Sequence, residues 1–221
     1  MLSDLHKGYS LLYRPNGTIN YKFAGDKKLR QTEQAKKITK VAASLFAKKG
    51  YNGVGVAEIG AASGFGRGTL YHHIESKEGL LHEIASQYIS ELVASGHTIT
   101  KNYPDPTQRL NALSRHLMSV ISDSLAEIVV CFREVQSLTG SRHHDVMCMH
   151  AEYQQIWSKT IDDGVRQNVF REVDKIAVKG LLGMYFYSCL WLKPDGLQSP
   201  EDIGDVFSDL VIRSLAKGPG D

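Results

Sequence analysis

Residues 56–74 read Val-Ala-Glu-Ile-Gly-Ala-Ala-Ser-Gly-Phe-Gly-Arg-Gly-Thr-Leu-Tyr-His-His-Ile. The polar side chains of the second half suit recognition of nucleic acid better than bond chemistry. Arg67 carries a planar fork that matches a guanine edge, and Thr69 can meet a phosphate or a thymine methyl. Tyr71, His72 and His73 can reach backbone oxygens. Gly68 lies among them, and Lys77 follows with one more cation. A short helix bearing Val56, Ile59 and Gly60 would run into a tight turn at Ser63-Gly64-Phe65. There glycine tolerates positive φ and Phe65 can bury between helices. A second short helix would start near Arg67, giving a helix-turn-helix with that helix as the reading head. A plain helical hairpin with a solvated face has the same spacing, and these residues alone leave both readings open.

Other chemistry finds little support. There is no G-x-S-x-G elbow and no H-E-x-x-H pair. Gly53-Val54-Gly55 with Gly60 has the wrong spacing for a dinucleotide loop and follows a helix rather than a strand. His143, His144, Cys148 and His150 cluster near a helix start, but His143 and His150 would stand ~10 Å apart along a helix, too far for one metal. A polar loop is the expectation there. Cys131, Cys148 and Cys189 form no C-x-x-C pair, which argues against a disulfide framework or structural zinc and fits a reducing cytoplasm. Cys148 reads as a small buried hydrophobe. No cofactor, metal or catalytic set is expected.

The elements that must carry the head are helical. Ala35, Ile38, Ala42, Leu45 and Phe46 recur at three- and four-residue steps, and Lys48-Lys49-Gly50 forms a C-terminal stop. Ser76 can cap a helix carrying Leu81, Ile84, Tyr88 and Leu92. Asp105-Pro106 can open another, carrying Leu110, Leu113, Leu117 and Val120. Ile128, Phe132 and Val135 mark a third; Met149, Ile156, Trp157 and Ile161 a fourth. Asp174 can cap a fifth through Tyr185, and Ser199-Pro200-Glu201-Asp202 starts a sixth. β-Branched alternation is absent after residue 28, so the fold class is all-α. Before it, Leu11, Tyr13, Ile19, Tyr21 and Phe23 alternate around Asn16-Gly17. That pattern signals either a small hairpin or, with Lys7, Arg14, Lys22, Lys27 and Lys28, a flexible arm along a DNA groove.

Length and charge fit this division. The 221 residues suffice for one large or two small domains, and 42% hydrophobic with 23% charged residues is ordinary for a globular protein. No apolar run approaches the ~18 residues of a membrane span, and the first residues lack a signal-peptide core. Residues 1–80 hold 13 Lys+Arg against 6 Asp+Glu, whereas the rest holds 13 against 18. A basic N-terminal part on an acidic body suggests that only the former meets a polyanion.

Gly50-Tyr51, Val56, Glu58-Ile59, Gly64-Phe65, Gly68-Thr69-Leu70-Tyr71-His72-His73-Ile74, Ser76-Lys77-Glu78 and Leu80 resemble the DNA-binding domain of the tetracycline-repressor (TetR) family, over residues 35–81. Several positions depart from that family. Val54 and Gly55 stand where it usually has Thr and Ser, Gly66 replaces a capping Ser, Ile74 a core Phe and Gly60 an Ala. Weakened caps suggest a mobile reading head.

The resemblance implies an arm at 1–28, a three-helix helix-turn-helix DNA-binding domain at 29–78, and a larger helical ligand-binding and dimerisation domain at 79–218. It implies a homodimer on a double-stranded, palindromic DNA operator, DNA contacts from Arg67, Gly68, Thr69, Tyr71, His72, His73 and Lys77, and release by a small apolar effector. An activator, or a regulator without effector, fits the same scaffold; an enzyme using an aromatic pocket is the reading from another class. Trp157, Tyr185 and Trp191 are the candidate effector residues, since cavity walls use such aromatics. Ile203, Phe207, Leu210 and Val211 belong to an apolar stripe too broad for one buried face, hence a candidate dimer interface with the helix of residues 174–191. Gly164, Phe170-Arg171, Val173-Asp174, and Trp191, Pro194, Gly196-Leu197, Ser199-Pro200-Glu201 are similar to members answering fatty-acyl or steroid-derived coenzyme-A thioesters. Arg133, Arg142, Arg166 and Arg171 are then candidate phosphate partners.

Overall fold

A computed structural model of the protein describes residues 33–193 and 195–217, excepting the side chain of residue 67. The arm and its Asn16-Gly17 hairpin lie outside the described residues. What is described falls within one compact unit, Gln31–Asp221. Among the described residues the order is α1 (Glu33–Lys49), α2 (Val56–Ser63), α3 (Arg67–His73), α4 (Lys77–Asn102), α5 (Pro106–Asp123), α6 (Leu125–Glu134), α7 (Gly140–Arg166), α8 (Lys175–Tyr187) and α9 (Pro200–Leu215). A 3-10 turn at Val135–Ser137 links α6 to α7, and another at Ser188–Leu190 follows α8. Extended pairing among these residues is one isolated bridge, Phe170 with Ala216.

Local chemistry sets the helix starts. Ser76 Oγ accepts the Gly79 N–H at 2.9 Å, Asp105 Oδ1 that of Gln108 at 2.8 Å, and Asp174 Oδ1 that of Ile176 at 2.8 Å. Ser199 and Asp202 form a reciprocal capping box, with N–H to oxygen distances of 3.0 and 3.3 Å. Each such cap contributes about 1 kcal/mol.

The expected polar loop around His143–His150 is instead the first part of α7. Val146 and Met149 are buried at helical spacing with Tyr153 and Ile156 beyond them. The apolar face packing against α4 therefore extends through the His-rich stretch, and packing outweighs the low helix propensity of histidine.

Three helix pairings build the core: α4 with α7, α5 with α9, and α1 with α6. The α5–α9 approach is close enough to need glycine. A Cβ at Gly204 would stand 2.8 Å from Arg115 Cα and 3.2 Å from the Ser114 carbonyl oxygen. The α1–α6 pairing seats the N-terminal helices on the larger body, and α4 runs from the head into that body.

Candidate nucleic-acid interface

The head packs around apolar side chains that continue into the core of the body. Ile38, Ala42 and Phe46 from α1, Val54 and Ile59 around α2, and Leu70 and Ile74 around α3 are all buried. Gly64 makes the turn at φ 78°, and its N–H returns to Ala61 and Gly60 carbonyls. With Leu70 pointing in, the opposite face of α3 is open. Gly68, Thr69 and His72 are exposed, and Tyr71 is 53% exposed. His73 is half-buried, and its Nε2 lies 3.0 Å from Gln34 Oε1 on α1, so that nitrogen is the donor. Lys77 is half-buried too. Its Nζ sits 4.3 Å over the Tyr51 ring and 6.0 Å from that of Phe46, so it braces the head as a cation–π partner. Arg67 opens α3, and its side chain lies outside the described residues.

The departures from the family pattern have local consequences. Val54 is buried in the head's core and faces no phosphate. Gly55 and Gly66 are the N-cap residues of α2 and α3 and offer no side-chain bond. Ile74 takes the core position.

A second set of contacts gave no signal in the sequence. The segment from the end of α6 to the first turn of α7 grips the head. Glu134 Oε1 accepts the Tyr51 N–H at 3.1 Å, and Arg133 Nη1 donates to the Ala47 carbonyl at 3.1 Å. Glu78 Oε1 accepts both the Thr139 N–H (2.8 Å) and its hydroxyl (2.9 Å). Arg142 pairs with Glu78 Oε2 and Glu75 Oε2, each at 3.2 Å. The Thr139 bonds, then Arg142, hold the Glu78 carboxyl below its ordinary pKa. Partners some sixty or eighty positions apart have no spacing rule by which to be found.

The candidate effector residues fall in two environments. Trp157 and Tyr185 are wholly buried, with ring centroids 5.2 Å apart, whereas Trp191 is 47% exposed. They are joined through Phe207, whose centroid is 5.2 Å from Tyr185 and 6.2 Å from Trp191. An open groove of about 580 Å3 along α4, α5 and the start of α9 is lined by Ser95, Thr98, Arg115 and His116, among others, and by none of the three aromatics. The four arginines considered for phosphates all have partners in the chain. Arg133 and Arg142 hold the head, Arg166 pairs with Asp163, and Arg171 Nε donates to the Ser214 carbonyl. In the tract of residues 164–174, Phe170 is buried against Gly164 and Asp174 caps α8. These are structural duties.

The α9 stripe divides. Ile203 and Val211 turn into the chain's own core, which corrects their assignment to an intersubunit surface: helical spacing puts them on the side facing α5. Phe207 is half-buried. Leu210, with Val206, faces outward.

The family model for the tetracyclin repressor-like C-terminal domain matches residues 103–215, and that for bacterial regulatory proteins of the tetR family matches residues 38–84. The chain belongs to the TetR family. A relative, the HTH-type transcriptional repressor KstR2 of Rhodococcus jostii, is 26% identical over 179 residues, covering 80% of this chain and 88% of the relative. Among solved structures, the TetR-family regulator PfmR from Thermus thermophilus superposes with a TM-score of 0.75 at 29% identity, over 81% of this chain and 99% of that one. AibR, in complex with isovaleryl coenzyme A and operator DNA, gives 0.69 at 26% identity, over 83% and 98%. TetR proteins are transcriptional regulators with an N-terminal helix-turn-helix, and the α1–α3 head of this chain is that element. No helix among the described residues is long and apolar enough to cross a membrane.

Proposed function

We propose that the protein is a homodimeric transcriptional repressor of the cytoplasm, released from a palindromic operator by a small, largely apolar effector. The observation that carries this reading is the open polar face of α3 on a well-packed head. Gly68, Thr69, Tyr71 and His72 are available to a DNA groove, and two such heads address two half-sites. Pairing through α8 and α9 is supported by apolar side chains left on the surface, notably Ile176, Tyr187, Val206 and Leu210. The aromatic stack from Trp157 to Trp191 supports an apolar effector. A coenzyme-A thioester is a second reading, favoured by the ligand of the AibR complex. It needs a phosphate site other than the four arginines already paired. An effector acts only through preference for one spacing of the two heads.

A gel-shift on the DNA upstream of the chain's own gene, with and without isovaleryl coenzyme A, longer acyl thioesters and the free acids, tests the scheme. Salt-sensitive binding lost on ligand addition is expected. Binding of equal strength to unrelated DNA sinks the operator reading, and ligand-enhanced binding points to activation instead. Release by free acid and thioester alike removes the coenzyme-A part.

A further inference from the structure

Between residues 33 and 80 the carboxylates are Glu33, Glu58, Glu75 and Glu78. Glu33 pairs with Lys36, Glu58 with Lys49, and Glu75 and Glu78 with Arg142. Lys37 is exposed and shares none of these pairs. An aromatic ring holds it instead, for its Nζ lies 5.4 Å from the ring centroid of Phe65. Phe65 is half-buried in the turn between α2 and α3. The same ammonium stands 4.0 Å from where a Cβ on Gly64 would be. One turn earlier on the same face of α1, Gln34 accepts from His73, the last residue of α3. Gln34 and Lys37 therefore set the start of α1 alongside the reading helix, with Lys37 at the end where the chain enters it. Gly66, next to Phe65, is exposed. Its backbone, at φ −65° and ψ 158°, suits any residue, and an added Cβ would meet nothing within 4 Å. Neither backbone nor packing asks for glycine there, and its bare surface lets another molecule come close.

We infer that Lys37 is a phosphate clamp: its ammonium takes a backbone phosphate of the operator beside the groove contacts of α3, and the DNA footprint extends from the helix-turn-helix onto α1. This rests on the reading of the open face of α3 as the DNA surface. An ammonium is a compact point charge with three donors, suited to a phosphate oxygen. The Phe65 ring restrains the long side chain while its charge stays in solvent, so less rotamer freedom is lost when the phosphate arrives. No carboxylate of the head competes for it, since all four are engaged by other cations. The clamp also makes up for donors that the head lacks. Val54 is buried, and Gly55 and Gly66 carry no side chain, so none of the three offers a hydroxyl to the DNA backbone.

Lys37→Met keeps an unbranched stem over Phe65 and removes the charge. The full-length variant is titrated by fluorescence anisotropy, over a range of salt, against the DNA upstream of the chain's own gene. We expect weaker binding and a salt slope lower by about 0.9 for each head on the DNA. The deficit against wild type should therefore shrink about threefold per head as salt rises from about 50 to 200 mM. Lys37→Arg, which keeps a cation, should restore the slope. Lys101→Met removes an equal charge at the far end of the 26-residue α4 and should leave the slope as in the wild type. The melting temperature of Lys37→Met should stay near that of the wild type, since no ion pair is lost. A wild-type slope in Lys37→Met overturns the clamp and leaves α3 standing as the reading helix. An equal fall in slope for Lys101→Met also overturns it, since net charge alone would then explain the effect. So does a lower melting temperature with an unchanged slope, which makes Lys37 a brace for the turn. A loss confined to one position across single-base variants of the DNA makes Lys37 a base reader and overturns the clamp as well. Wild-type binding indifferent to salt and to sequence removes the DNA reading of α3, and the clamp with it.

Discussion

Tyr71 is the side chain of α3 whose exposure and reach single it out for the DNA backbone. It is more than half exposed and outside the buried core, so its replacement by Ala should change the melting temperature little while operator affinity falls. Because tyrosine is uncharged and displaces no counterion, the salt slope should stay as in the wild type; a fluorescence-anisotropy titration across salt concentrations checks both. Lys77 is not a clean partner for that experiment, because its ammonium braces Tyr51 and its removal would disturb the head. A second residue carries a pH signature. His150 Nε2 lies 3.0 Å from Tyr88 Oη and accepts from it only while neutral. Burial lowers the His150 pKa from 6.5 to about 4. The unfolded chain therefore binds this proton first. The contribution is complete above about pH 6.5 and is lost as pH falls towards 4, amounting to about 2 kcal/mol by pH 5. Denaturant melts at pH 7 and pH 5 should show that loss. His150→Gln, which keeps an acceptor for Tyr88, should flatten the difference; an equally steep pH dependence in that variant would assign the effect elsewhere. The helix-turn-helix was legible because Gly68 to Ile74 form a dense local motif. The cluster of Tyr88, Cys131 and His150 was not, since its members come from three helices.

At the scale of elements, the caps announced the helices. Ser76, Asp105, Asp174 and Ser199 were each readable as starts, and each accepts the N–H that its position requires. The start of α7 was not readable, for Thr139 makes no capping bond from its side chain within the helix and gives its hydroxyl to Glu78 instead. What orders that turn is tertiary packing. Nor does a stripe of apolar residues disclose how many partners it has: α9 carries one broad band that α5 takes in part. The seam between these helices gives a sharp test. Gly204→Ala would push a methyl to 2.8 Å from Arg115 Cα, where backbone must move rather than a side-chain tip. We expect a loss of about 1–3 kcal/mol despite the better helix propensity of alanine. A denaturant midpoint unchanged or raised would show that α9 can lift without cost.

For the whole molecule, the proposed function requires two couplings: between subunits and between body and head. The first predicts different fates for residues one position apart on α9. Leu210 is 50% exposed and Val211 is buried. Leu210→Asp should give a folded monomer by sedimentation, while Val211→Asp should fail to fold. A dimeric Leu210→Asp protein would move the interface away from the outer face of α9. The second coupling is expected to run through the clasp between the α6–α7 junction and the head. Because Glu134 accepts the Tyr51 N–H and Arg142 holds Glu75 and Glu78, a shift of that junction is passed to the turn after α1 and the start of α4. Coupling is a free-energy difference between two states, so breaking the link should reduce the effector's influence more than either binding event. Glu134→Ala with Arg142→Ala should change operator affinity without ligand by less than about threefold, whereas the ligand's fold-effect should fall by about tenfold, or roughly 1.4 kcal/mol of coupling. Anisotropy titrations with a ligand that releases the wild type measure both quantities on one sample. An intact fold-effect in the double variant would mean that α4, rather than the clasp, carries the signal. Loss of operator binding with no ligand present would mean that the clasp builds the head rather than moves it.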